Sequence, residues 1–429
     1  MTSSETPAPS PAPSRPEGPP KPPRKGIPTA LKAIAGLVVV AVVFIAAAIV
    51  GGGSTEDGGA IPGAAPSREA PTTESEPVTA TEPPEDLGYP EFATNNTTRV
   101  GGSDPVSNAA AVALAVYPST EDALRPAAVA LVDQGDWRGA MAAAVLMAQP
   151  LQAPLLISGS DDVPEATADA LEALAPRGTP LAGRAQVFAL GAAATPDGLR
   201  ARRIGATGTA AAATIARLRD RLFDRPPRHI LLASATRSEL AMPAAAWAAR
   251  SGDPLLFTGA SKLPAVTRRG LRRHPDLPVY VIGPSSAISS QVVREVGRVG
   301  NPVRRVSGED AVENSIALAR YADGDFGWNV NDPGHGFVIA RSDEPLAAAA
   351  AAPLSASGTW GPLLLTDSAD TLPAALRDYL LDVKPGYTTD PTRAFYNHVW
   401  LIGDSDAIDV GQQAEIDELA ELARIGGEP

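Results

Sequence analysis

Apolar residues in this chain fall into one long uninterrupted run near the N-terminus and a series of short runs that recur downstream. From about residue 98 to the C-terminus, the polarity pattern repeats with a period near 100 residues. Each unit opens on a similar stretch: Arg99-Val100-Gly101-Gly102, Arg203-Ile204-Gly205-Ala206 and Arg305-Val306-Ser307-Gly308. An Ala-rich segment with apolar positions at helical spacing follows. Next comes a short apolar run at 128–132, 230–233 and 337–340, leading into a helix of small residues around 141–145, 241–247 and 346–352. A second run, 154–158, 254–258 and 362–366, starts Pro-Leu-Leu each time. Pro164, Pro264 and Pro373 then mark a helix start, at the first position, where no N–H is needed. A third run ends on Gly191, Gly283 and Gly403. Continuously apolar strands alternating with helices predict buried parallel strands, so each unit is expected to be a small parallel sheet flanked by helices. The predicted fold class is α/β, with repeats over 98–199, 200–299 and 300–429.

The long run has a different meaning. Residues 33–50 carry no charge and, extended through Gly51 to Gly53, reach the length of one membrane-spanning helix. Arg15, Lys21, Arg24, Lys25 and Lys32 precede it, whereas residues 53–97 hold nine acids and one base, Arg68. Positive charge stays on the cytoplasmic side, which predicts a single-pass helix over 33–53 with the N-terminus inside and the repeats extracellular. A cleaved signal peptide ending near Ala46-Ala47-Ala48 is the alternative and exports the same region. Residues 1–32 read as a disordered Pro-rich tail, and 54–97 as an extended acidic stalk rich in Pro and Thr.

Composition removes several activities. The 429 residues include no cysteine, which excludes thiolate catalysis, Fe–S clusters and thiolate zinc sites. The four histidines, His229, His274, His335 and His398, form no HExxH pattern. No G-x-S-x-G elbow, P-loop or post-strand G-x-G-x-x-G is present. No catalytic residue, metal ligand or cofactor is assigned, and the chain is expected not to be an enzyme.

Charge is unevenly spread. Residues 98–199 hold 5 basic and 11 acidic residues, 200–299 hold 17 and 6, and 300–429 hold 8 and 21. The middle unit is therefore a basic block of net +11 between two acidic ones, and all but one of its cations are Arg, suited to phosphate or carboxylate. Two blander readings stand beside an anion-binding face: pairing with the acidic units across interfaces, and an ordinary solvated surface. The candidate ligand-contacting cluster is Lys262, Arg268, Arg269, Arg272 and Arg273, around the segment that follows Pro264, with Arg304 and Arg305 at the next unit's start. Gly270 is expected to shorten that helix. Two long loops in the third unit collect aromatics, Phe326 and Trp328 in one, Phe395, Tyr396 and His398 in the other. They serve either as interface core or as stacking surfaces for sugars.

The Arg-(Val/Ile)-x-Gly openings, the Pro-Leu-Leu strands and the strands closing on Gly resemble the cell-wall-binding repeat type 2 family, over residues 98 to about 426. The resemblance implies three like subdomains around a pseudo-threefold axis. It also implies non-covalent binding of anionic wall polymer or a peptidoglycan-linked glycan, with no catalysis and with the repeats facing the cell wall. The exported location argues against a nucleic-acid partner, which charge alone would allow. Family members open on Asp-Arg-Tyr; here Asp104-Pro105-Val106, Thr207-Gly208-Thr209 and Asp310-Ala311-Val312 stand instead. The alternative is a degenerate repeat scaffold presenting a protein-interaction surface at the envelope.

Overall fold

The computed structural model describes residues 93–357 and 359–425. These residues fall within one compact unit. The tail, the apolar run at 33–53 and the stalk up to residue 92 lie outside the described residues. Among the described residues no helix is long and apolar enough to cross a membrane.

The first repeat contains β1 (Thr97–Val100), α1 (Pro105–Val116), β2 (Val129–Asp133), α2 (Trp137–Ala143, continued by a 3-10 segment Ala144–Met147), β3 (Leu155–Ser158), α3 (Glu165–Leu174) and β4 (Val187–Leu190). The second contains β5 (Ala201–Ile204), α4 (Gly208–Leu222), β6 (Ile230–Ser234), α5 (Ser238–Ser251), β7 (Leu255–Thr258), α6 (Ala265–Leu271), β8 (Val279–Ile282) and α7 (Ser290–Val299). The third contains β9 (Val303–Val306), α8 (Ala311–Arg320), β10 (Gly336–Arg341), α9 (Pro345–Ala356), β11 (Leu363–Thr366), α10 (Ala374–Asp382), β12 (Gly386–Tyr387), β13 (His398–Ile402), α11 (Val410–Ala420) and β14 (Ala423–Arg424). The apolar runs are thus strands, buried as expected: Leu155, Leu255 and Leu363 stand at the same place in the three sheets, opposite Ala130, Leu231 and Val338, and all three are buried. Pro164, Pro264 and Pro373 sit one place earlier than expected, capping α3, α6 and α10 from an extended conformation. Gly191, Gly283 and Gly403 end the closing strands with φ of 67°, 115° and 102°, a region that side chains disfavour.

Each main sheet has four parallel strands, in the orders β3-β2-β4-β5, β7-β6-β8-β9 and β11-β10-β13-β1. In the first two sheets the fourth strand comes from the start of the following repeat, and in the third it is β1, from the start of the first. Register is equivalent at all three seams, with Ile204 opposite Leu190, Val306 opposite Ile282, and Val100 opposite Ile402. A sequence repeat and a structural subdomain are therefore offset by one strand and one loop.

The opening arginines explain why these seams hold. Arg203 donates to the Ala193 carbonyl at 2.9 Å, and Arg305 to the Ile288 carbonyl at 2.7 Å and to that of Gly283. Arg99, only 2 % exposed, donates to the carbonyls of Gly403 at 3.1 Å and Ile408 at 2.6 Å, and to Gln413 Oε1. In each case a guanidinium on the donated strand satisfies carbonyls in the loop after the preceding repeat's closing strand.

The small-residue helices meet at the centre. The α2 segment, α5 and α9 all touch one another, and six successive alanines, Ala347 to Ala352, are buried in α9. Short side chains let the axes approach closely. Around them, α4 packs on α2, α8 on α5 and α1 on α9, so each opening helix docks on the central helix of the preceding repeat.

Two measurements test this closure. Arg99→Ala leaves several buried carbonyls without a donor and is expected to cost about 3 kcal/mol in denaturant unfolding; Arg203→Ala, at a more exposed seam, costs less. Equal losses at the two positions would contradict a special role for the β1 seam. At the same seam His398 Nε2 lies 3.0 Å from Thr98 Oγ1, and burial pulls the imidazole below its ordinary range, against the opposing pull of Asp417. A histidine held low contributes stability above its unfolded pKa of about 6.5 that is lost as pH falls through the folded value. Thermal midpoints should therefore drop on acidification below about pH 6.5, and more steeply than in His398→Gln.

Candidate functional site

The predicted basic cluster surrounds α6, which leans on the second sheet: Lys262 precedes the helix, Arg268 and Arg269 lie on it, and Arg272 and Arg273 follow it. Gly270 is buried there: a Cβ added to it would sit 3.2 Å from Leu256 Cδ1, so glycine permits the close approach. The helix ends at Leu271 with Arg272 as its cap, as the glycine led us to expect.

The seven predicted residues divide by what they already touch. Arg268 pairs with Glu295 on α7 at 2.9 Å, and Arg273 with Asp220 at the end of α4 at 2.9 Å. Asp220 also takes a bond from His274 at 3.0 Å. Burial raises the Asp220 carboxyl, but His274 and Arg273 outweigh it and hold the group below the usual range. Arg304 pairs with Asp323 and lies beside the Tyr280 hydroxyl, while Arg305 on the same strand is turned to the Gly283 and Ile288 carbonyls. Lys262, Arg269 and Arg272 are exposed and have no side-chain hydrogen bond or ion pair among the described residues. The structure thus brings the α6 residues together and places Arg304 and Arg305 elsewhere.

Internal neutralisation accounts for little of the basic block. Of the 17 cations in residues 200–299, five (Arg219, Arg228, Arg237, Arg268 and Arg273) lie within 4.0 Å of a carboxylate among the described residues. Only one of these pairs, Arg228 with Asp325, crosses to an acidic repeat.

Two cavities show what each sheet edge can accept. One, of about 310 Å³, opens at the carboxyl ends of β10, β13 and β1, where the strand order reverses and α/β folds place ligands. Its wall is acidic: Asp343, Glu344, Asp404 and Asp406, with Arg341 already held by Asp343 at 2.9 Å. Burial, and then Asp343, push the Glu344 carboxyl up. An anion would be repelled there. Among the described residues no group of three or more acids and histidines is arranged to hold a metal ion.

The second cavity, of about 490 Å³, lies between the second and third repeats. Sequence reasoning did not find it, because its residues run from Arg219 to Trp360 without a local motif. The first aromatic loop builds part of its wall. Phe326 is buried and stacks on Tyr280 at 3.4 Å, and Trp328 meets Trp247 edge-on at 5.5 Å. That loop is therefore interface core. In the second loop Phe395 and Tyr396 remain exposed, at 71 % and 56 %, while His398 turns to the β1 seam.

Comparison with known proteins agrees with this architecture. Residues 202–293 match the model of cell wall binding domain 2 (CWB2). Cwp6 from Clostridium difficile has a similar fold at 19% identity and a TM-score of 0.60, over 76% of this chain and 47% of that one. Cwp8 from Clostridium difficile gives 19% identity and 0.56, over 76% and 52%. The chain thus spans about half the length of these structures. No curated protein matches it. The match to cell wall binding domain 2 thus falls on the middle repeat, and the two other main sheets have the same strand order and register as the matched one.

Proposed function

We propose that this chain binds anionic polymer of the cell wall through the exposed face of α6, as a non-enzymatic envelope protein. The repeat that matches the cell wall binding domain is also the one with net +11 and with most of its cations unpaired; this observation carries the reading. Lys262, Arg269 and Arg272 form the centre of the contact. Arg268 and Arg273 flank it and are partly neutralised by Glu295 and Asp220. Arg304 and Arg305 serve the seam between repeats. The apolar run at 33–53 anchors the chain, with the repeats outside and the acidic stalk supplying reach.

A degenerate scaffold is the second reading. It draws on the opening acids: Asp104 caps α1, accepting from the Val106 and Ser107 amides, and Asp310 caps α8, accepting from that of Glu313. Both carboxylates thus have a structural use.

Sedimentation with purified wall separates the two. Residues 90–429 should co-sediment with wall at low salt. In the triple variant Lys262→Gln, Arg269→Gln, Arg272→Gln, binding should fall about tenfold, at about 0.5 kcal/mol per exposed contact, and lose part of its salt dependence. Arg304→Gln, already paired, should bind as the parent does. A folded triple variant with unchanged binding would favour the scaffold. For topology, protease added to intact cells is expected to remove the repeats and leave a short N-terminal fragment. Repeats that stay protected would refute the outward placement.

A further inference from the structure

The cavity between the second and third repeats has the chemistry of a small-ligand site. Its volume of about 490 Å³ lies within the range of such sites. An inorganic anion alone would leave most of it unfilled, since one water takes only about 30 Å³.

The polar groups of its wall divide into those already satisfied and those left over. Asp253 is buried and accepts from the Arg228 and His229 amides, both at 3.0 Å, from His229 Nδ1 at 3.0 Å and from Trp247 Nε1 at 3.3 Å. Asp325 holds Arg228 at 2.5 Å and His229 Nε2 at 3.1 Å. Both carboxylates are therefore fully used. Arg219 is buried, and it donates to the Gly252 and Arg225 carbonyls at 2.8 Å each.

Three groups remain. The Arg225 and Arg250 side chains are exposed and have no carboxylate within 4.0 Å among the described residues. The Arg250 guanidinium instead lies 5.0 Å from the ring centre of Trp360, itself 44 % exposed. The Trp328 indole N–H is shielded from solvent and has no acceptor among the described residues. A donor sealed from water is out of reach of a ligand oxygen as well, so the free groups of the wall are the two guanidiniums and the Trp360 ring.

We propose that this cavity binds a single acidic sugar residue. Arg225 and Arg250 take its carboxylate or phosphate, and its apolar ring face lies against Trp360. Guanidinium suits an acid group with two oxygens, and an indole offers a flat apolar face. A nucleobase fits less well, because Trp247 and Trp328 meet at 83° and leave no parallel slot for a flat ring. The proposal rests on the wall-binding reading for the origin of the sugar, and on the cavity alone for its chemistry.

Tryptophan fluorescence of the full-length chain at low salt tests it, with glucuronate, glucose 6-phosphate, glucose, inorganic phosphate and uridine monophosphate as separate probes. Glucuronate or glucose 6-phosphate should bind saturably, at least tenfold more tightly than glucose or inorganic phosphate. The tighter of the two acids tells carboxylate from phosphate recognition. Arg250→Gln and Trp360→Ala, both at exposed positions, should each weaken binding at least tenfold, with Arg250→Lys intermediate. The triple variant on α6 should titrate like the parent, which separates this site from the wall-binding face. Loss of wall sedimentation with the titration intact would overturn only the wall reading. No saturation by either acid, equal binding of inorganic phosphate or of uridine monophosphate, or parental binding by both cavity variants would overturn the proposal.

Discussion

Everything in this molecule depends on a strand given away. Each sheet has three strands from one repeat and takes its fourth from the next, so no repeat has a complete sheet of its own. A parallel edge strand contributes little unless its face is covered and its backbone paired. Here both conditions are met by the neighbour, because the opening helix that follows the donated strand docks on the preceding repeat's central helix. Such an array must either leave one seam open or close on itself. It closes, through β1 on β13, and α11 reinforces the join: Asp417 accepts from the Asn96 amide at 2.8 Å, and Gln413 donates to Thr97 Oγ1 at 2.9 Å. Three small-residue helices can then share one core, because closure fixes all three at once.

This interlock also decides what the arginines are for. A chain with so many cations in one repeat invites the idea that all of them serve a ligand. The structure separates three uses. The seam arginines, Arg99, Arg203 and Arg305, are carbonyl donors and part of the fold. Arg228, Arg268, Arg273 and Arg304 are matched by a carboxylate. The remainder carries unbalanced charge, and two of the places where it lies are the surroundings of α6, at Lys262, Arg269 and Arg272, and the rim of the cavity, at Arg225 and Arg250.

The strands were legible in the sequence because a buried parallel strand writes a short apolar run, and the repetition of Pro-Leu-Leu and of the closing Gly left little choice of phase. Seam exchange was not legible. The opening stretches, such as Arg99-Val100 and Arg203-Ile204, look alike whether they begin their own sheet or finish the previous one, and only the pairing of Val100 with Ile402 distinguishes the two. The α6 cluster was readable as a local density of Arg, but which members are neutralised was not, since Asp220 lies 53 residues from Arg273. The cavity left no local trace. Arg250 stands alone in an Ala-rich helix, and Trp360 follows in another repeat more than a hundred residues later.

The acidic first and third repeats seem at first to argue against an anionic partner. Their effect depends on where their charge lies. Surfaces of net −6 and −13 flank one of +11, so the molecule has a strong internal charge asymmetry as well as a net charge. Near a polyanion the acidic repeats are repelled and the basic one is drawn in, which orients approach and disfavours wrong encounters. The two collections of free cations then act under different conditions. On α6 they are fully exposed, so each contact is weak, additive and screened within about 10 Å at 0.1 M salt. At the cavity the guanidinium groups stand at the rim of a concave wall beside an indole, so contact there depends more on the ligand's shape. Under the wall-binding proposal the two kinds of contact have different tasks: many weak, salt-sensitive ones to stay on a long polymer, and one shaped by the cavity to tell which sugar has been reached.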